Sequence, residues 1–88
     1  MSVVYKYPIR IVAHQTIKVP EGARILTVQM QGDEACIWAK VDPDQREMEL
    51  NIYVHGTGHT LHENALMYIG TIQQCDGNLI WHVFGSQV

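Results

Sequence analysis

What this chain lacks narrows its class first. It has only two cysteines, Cys36 and Cys75, and neither stands in a paired short motif. That excludes the disulfide framework of small secreted domains and makes free, buried thiols in a reducing compartment the expectation. No stretch approaches the roughly 18 uninterrupted apolar residues of a membrane-spanning helix. The opening Met1-Ser2-Val3-Val4-Tyr5-Lys6 shows no basic segment followed by an apolar one, so a cytoplasmic protein that avoids membranes is expected. Positive charge is also scarce, with six Lys and Arg against nine Asp and Glu for a net charge of −3, which argues against a nucleic-acid polymer as partner. The shortage is lopsided. Lys6, Arg10, Lys18, Arg24, Lys40 and Arg46 all precede residue 47, and no Lys or Arg follows. Any anion met by the second half of the chain must take its countercharge from the first half or from another chain.

What is present is alternation. Residues 3–12 place Tyr5, Tyr7, Ile9 and Ile11 on one side and Lys6, Pro8 and Arg10 on the other, which predicts a strand. Pro8 cannot donate to a ladder, so that strand belongs at a sheet edge or is broken at that point. Residues 15–19 and 24–31 alternate likewise, separated by the turn Pro20-Glu21-Gly22. In 24–31 the pattern sets Leu26, Val28 and Met30 against Ile25, Thr27 and Gln29. Residues 35–41 are apolar on both sides and predict a central strand. Residues 48–54 put Met48, Leu50, Ile52 and Val54 inward and Glu49, Asn51 and Tyr53 outward. Strands at 67–75, interrupted by Gly70, and 78–84 flank the two-residue hairpin Asp76-Gly77.

Seven short strands with no repeat and no linker give a single all-β domain over residues 1–88, an antiparallel meander curled into a barrel or small sandwich. A core of this size is thin, so pairing of identical subunits is an expected reinforcement.

The one polar concentration is His55-Gly56-Thr57-Gly58-His59-Thr60-Leu61-His62, a loop closing with one helical turn around Glu63 to Leu66. Glycines let successive amides face one concavity, and hydroxyls and imidazoles add donors, so the loop reads as an anion cradle or as a plain turn. His55, His59 and His62 have a spacing that gathers ligands on a helix, but Gly56 and Gly58 disfavour a helix there, which weakens a metal reading. Thr57 beside His59, or either cysteine beside a histidine, is the nucleophilic alternative, and no nucleophile-elbow motif supports it. Among the aromatics, Tyr53 is the one expected to be free for stacking. His14 and His82 read as structural.

Several motifs together resemble those of a known group. They are Tyr7-Pro8, Gln15-Thr16-Ile17, Val19-Pro20-Glu21-Gly22-Ala23-Arg24-Ile25-Leu26, Trp38-Ala39, Val41-Asp42-Pro43, Gly56-Thr57-Gly58-His59, Tyr68-Ile69-Gly70-Thr71 and Trp81-His82-Val83-Phe84. Over about residues 5–84 the chain resembles small, uncharacterised bacteriophage-encoded proteins with a Gly-Thr-Gly-His loop and a Trp-His-Val-Phe C-terminus. Thr60 departs from the proline that group carries after the histidine, which leaves the loop freer. The resemblance implies a phage accessory protein in the cytoplasm of an infected host, similar in kind to the sponge proteins that sequester nucleotide immune signals.

The resulting expectation is a cofactor-free, non-enzymatic homo-oligomer that captures a small anionic ligand such as a cyclic nucleotide. Gly56, Thr57, Gly58, His59, His62 and Tyr53 form the pocket, and Arg24, Arg46 or Arg10 supplies charge from a neighbouring strand or subunit. The alternative is a protein-interaction or phage structural module with no small-molecule ligand.

Overall fold

The computed structural model describes residues 1–87. It is all-β, with β1 (Val3–Ile9), β2 (His14–Pro20), β3 (Arg24–Gln31), β4 (Glu34–Val41), β5 (Glu47–Gly56), β6 (Met67–Gln74) and β7 (Leu79–Gln87). Every pairing is antiparallel. A three-stranded sheet has the order β1-β4-β3 and a four-stranded sheet the order β2-β5-β7-β6. The shape is therefore a sandwich of two open sheets rather than a barrel. Only β3–β4 and β6–β7 are hairpins between paired neighbours, and the chain passes between the sheets after β1, β2 and β4.

The alternation explains which side of each sheet is buried. Ile9, Val28, Ala35 and Ile37 from one sheet meet Val19, Leu50, Ile52, Val54, Ile72 and Val83 from the other in one core. Ile37, Ile52 and Val83 are fully enclosed, each stabilising the fold by about 1.5–3 kcal/mol. β4 is central, with Ala35, Ile37, Ala39 and Val41 buried inward, while its outer side buries Cys36 but leaves Trp38 half-buried and Lys40 exposed; Pro8 lies on the edge strand β1. Where β3 and β6 approach without a ladder, Gly70 lies against Val28, and an added Cβ would sit 2.7 Å from Val28 Cγ1.

Four details depart from the sequence reading. A bulge between Ile25 and Thr27 leaves Leu26 extruded and half exposed, and turns Ile25 inward with Val28 and Met30. Residues 63–66 form no helix; short turns from His62 to Ala65 and Asn64 to Leu66 serve instead. The final hairpin has four connecting residues, 75–78, with Cys75, Asp76 and Gly77 all at positive φ. Cys75 is accordingly exposed in that turn, and only Cys36 is a buried thiol.

Between β1 and β2 a side chain replaces a ladder. The buried Gln15 amide donates to Arg10 O (2.7 Å) and accepts from Arg10 N (3.1 Å), so the sheet change leaves no unpaired amide at Arg10.

Candidate functional site

The loop after β5 folds back over the outer face of the four-stranded sheet. Antiparallel register sets out that face in rows. His14, Tyr53, Phe84 and Tyr68 lie side by side across the four strands, and His55, His82 and Thr71 form the next row.

Two constructions hold the loop to these rows. The first is a chain of side-chain hydrogen bonds. Tyr68 Oη lies 2.6 Å from Thr71 Oγ1, Thr71 Oγ1 lies 3.0 Å from His82 Nδ1, and His82 Nε2 lies 2.7 Å from Thr57 Oγ1. A neutral imidazole has one donor and one acceptor, so the chain runs in either direction, with the outermost proton on Thr57 or on Tyr68. Both terminal hydroxyls are exposed. The arrangement can relay a proton or present two hydroxyls to a bound molecule, and a hydroxyl on an oriented imidazole is also the layout of a nucleophile and base.

The second construction is a ring stack. His62 packs on Tyr53 with centroids 4.5 Å apart and planes 20° from parallel, and His14 packs on Tyr53 at 4.9 Å and 16°. His62 N donates to His55 Nε2 (3.2 Å), and Asn64 N donates to His62 Nδ1 (3.0 Å). Each of these ring nitrogens is thus occupied as the acceptor of a backbone amide within the loop.

Measured against expectation, the structure gathers part of the proposed set. Thr57 and His62 meet the sheet as described. His59 turns the other way: its amide closes a turn on Gly56 O (3.1 Å), and its ring packs so closely on Gly56 that an added Cβ would lie 2.9 Å from it. With Val54, Trp81, Ala13 and Thr60 it borders a hollow of about 410 Å³ at the end of the sandwich. Gly58 takes φ +84° at the turn. Tyr53 points outward but is only 3% exposed, because His14 and His62 cover it; it is a floor for the stack rather than a free ring.

The arginines are not brought to the loop. Arg46 precedes β5 and Gly56 ends it, so the ten-residue strand separates them by roughly 30 Å. There Arg46 Nε donates to Glu21 Oε2 (2.7 Å), and Arg24 joins Glu21 and Gly22 at the rim of a hollow of about 360 Å³. Arg10 borders a different hollow, with Asp33 and Glu34. Among the described residues no Lys or Arg borders the His55–Thr60 hollow or bonds to the loop. His55, His59 and His62 likewise do not converge, and no group of three potential metal ligands occurs among the described residues.

His82 is the functional candidate that sequence reasoning missed. Lying in an apolar strand, it looks structural, yet it ties three distant segments together. The available signal was its phase, since it alternates with inward Trp81 and Val83 and must face outward beside His55.

A family model described as "Domain of unknown function (DUF7352)" matches residues 1–88. The chain belongs to this family. No curated protein and no solved structure matches the DUF7352 chain. Any function assigned to this member of the family therefore rests on the geometry above.

Proposed function

We propose that this protein is a homo-oligomeric binding protein that captures a small, ring-bearing anion on the outer face of its four-stranded sheet. The observation that carries the reading is the convergence of three separate segments, Thr57 in the loop, Thr71 on β6 and His82 on β7, into one hydrogen-bonded chain with open hydroxyl ends beside nearly parallel rings. Hydroxyls and imidazoles orient a polar heterocycle, and planar rings favour stacking against it.

The anionic half of the reading requires a second chain. Among the described residues no Lys or Arg borders the loop hollow, so an arginine of a neighbouring copy is the countercharge. In the bacteriophage setting that the resemblance implies, capturing a cyclic nucleotide would withdraw an immune signal from the host cytoplasm without turnover. A thermal melt across cyclic di- and trinucleotides and cyclic ADP-ribose isomers, read beside the mass in solution, tests this. Stabilisation of an oligomer by at least one compound is expected. A monomer, or melts unchanged across the panel, overturns it.

A second reading has its own observation. Leu61, Leu66, Met67 and Tyr68 are exposed apolar side chains in and just after the loop, as at a protein-protein contact. Unchanged melts together with a protein partner recovered through this segment would establish an interaction module instead.

A further inference from the structure

We infer that the outer face of the three-stranded sheet, on the opposite side of the sandwich from the loop, is a platform for a short stretch of single-stranded nucleic acid. Register fixes its layout. Central β4 presents Trp38 and Lys40; Lys6 stands beside Trp38 from β1, and Arg24 stands directly opposite Lys40 from β3. Like charges directly opposite in an antiparallel pair work against folding, so Arg24 and Lys40 together call for an anion. None is provided internally: among the described residues the ion pairs are Arg46 with Glu21 and the N-terminal amine with Asp42.

The two acids that share a hollow with Arg24 and Lys40 are already engaged. Glu21 accepts from Arg46, and Asp42 accepts from the Asp44 amide and the Gln45 side chain. Lys6 is held by a neutral group, donating to Gln31 Oε1 at 2.7 Å. Glu34, the carboxylate on β4, lies four register pairs from Trp38 and is the register partner of Gln31, so the Lys6 ammonium sits toward the Glu34 end. Two cations, Arg24 and Lys40, therefore stand without an ion pair beside one indole in a chain of net charge −3, and the stem of Lys6 flanks it from β1. The whole-chain charge, which argues against a polyanionic partner, conceals this sorting by face.

Phosphates answer the cations and an unpaired base answers the indole, which is the combination that single-strand platforms use. A duplex keeps its bases stacked internally and an acidic peptide has no base to offer, so both leave Trp38 unused. The inference does not depend on the loop face binding anything.

Trp38 emission reports on it directly in a Trp81→Phe background. Trp81 belongs to the other sheet, where its Nε1 donates to Gln74, so its removal leaves this face unchanged. Titration with a short oligothymidylate should quench Trp38. Two cations at about 0.7 each give a log–log salt slope of about −1.4, or about sevenfold weaker binding for a fourfold rise in salt. Lys40→Gln, an exposed substitution that relieves the repulsion from Arg24, should lower the slope by about 0.7 without lowering the melting temperature. Absence of quenching at low salt overturns the proposal. So does equal quenching by polyglutamate or duplex DNA, which marks a general polyanion surface, or a slope that Lys40→Gln leaves unchanged.

Discussion

Breaking the contact between Thr57 and His82 should release the loop from the sheet, and the cost follows from the geometry. The bond is short, at 2.7 Å, and joins an exposed hydroxyl to a half-buried imidazole. Thr57→Val keeps the β-branched shape and removes only the hydroxyl. A typical internal hydrogen bond contributes about 0.5–1.5 kcal/mol net. Exposure lets water take over part of it, so about 0.5–1 kcal/mol is expected here. For a domain of this size that lowers the melting temperature by about 2–8 °C. His82→Phe removes the bonds to both Thr57 and Thr71 and should cost about twice as much. In the double variant the effects should fall short of additive by about 0.5–1 kcal/mol, because the same bond is removed only once. Urea unfolding at a fixed protein concentration measures all three, and proteolysis within residues 57–66 should accelerate in each. A coupling below about 0.3 kcal/mol would refute the anchoring of the loop at His82.

Gly70→Ala places a methyl 2.7 Å from buried Val28 Cγ1 and should destabilise by about 1–3 kcal/mol in urea unfolding; an unchanged midpoint would mean that β3 and β6 do not approach as described. Gln15→Met removes both bonds to Arg10 and should lose about 1–2 kcal/mol by the same assay. For the thiols, burial first and then the Glu34 side chain raise the pKa of Cys36, and Lys6 offsets this in part. A raised thiol pKa favours the fold while the thiol is neutral, and that contribution is lost as pH climbs through the raised value. Native protein should therefore be alkylated at exposed Cys75 alone, and stability should decline in alkaline solution; prompt alkylation of both thiols at neutral pH would contradict the burial of Cys36.

The fold was legible where alternation is unbroken. Met48 to Val54 reads directly as a half-buried strand, and Ala35 to Val41 as a central one, because period-two patterning reflects burial itself. Three features escaped it for physical reasons. A bulge shifts the phase of a strand without changing its composition, so Leu26 and Ile25 exchanged roles unannounced. The covering of Tyr53 depends on a loop folding back over it, and sequence spacing carries no trace of that contact. Cys75 closes a strand-like run in sequence but stands at positive φ in a turn between Gln74 and Asp76, where its neighbours cannot enclose it. The loop itself was recognisable from its glycines and imidazoles. Its main anchor, His82, was not, because an outward histidine in an apolar strand resembles a structural one until the loop is seen to reach it. The separation of the arginines from the loop follows from strand direction, which alternation does not encode.

Capture of a ring-bearing anion on the loop face is the central claim, and calorimetry tests it most directly. Titrating the protein with the cyclic nucleotide that best raises its melting point should give saturable heat, and Thr57→Val should weaken the affinity about fivefold or more, as for a lost hydrogen bond of about 1 kcal/mol. Heat that is absent with every compound, or identical in wild type and Thr57→Val, would contradict the account.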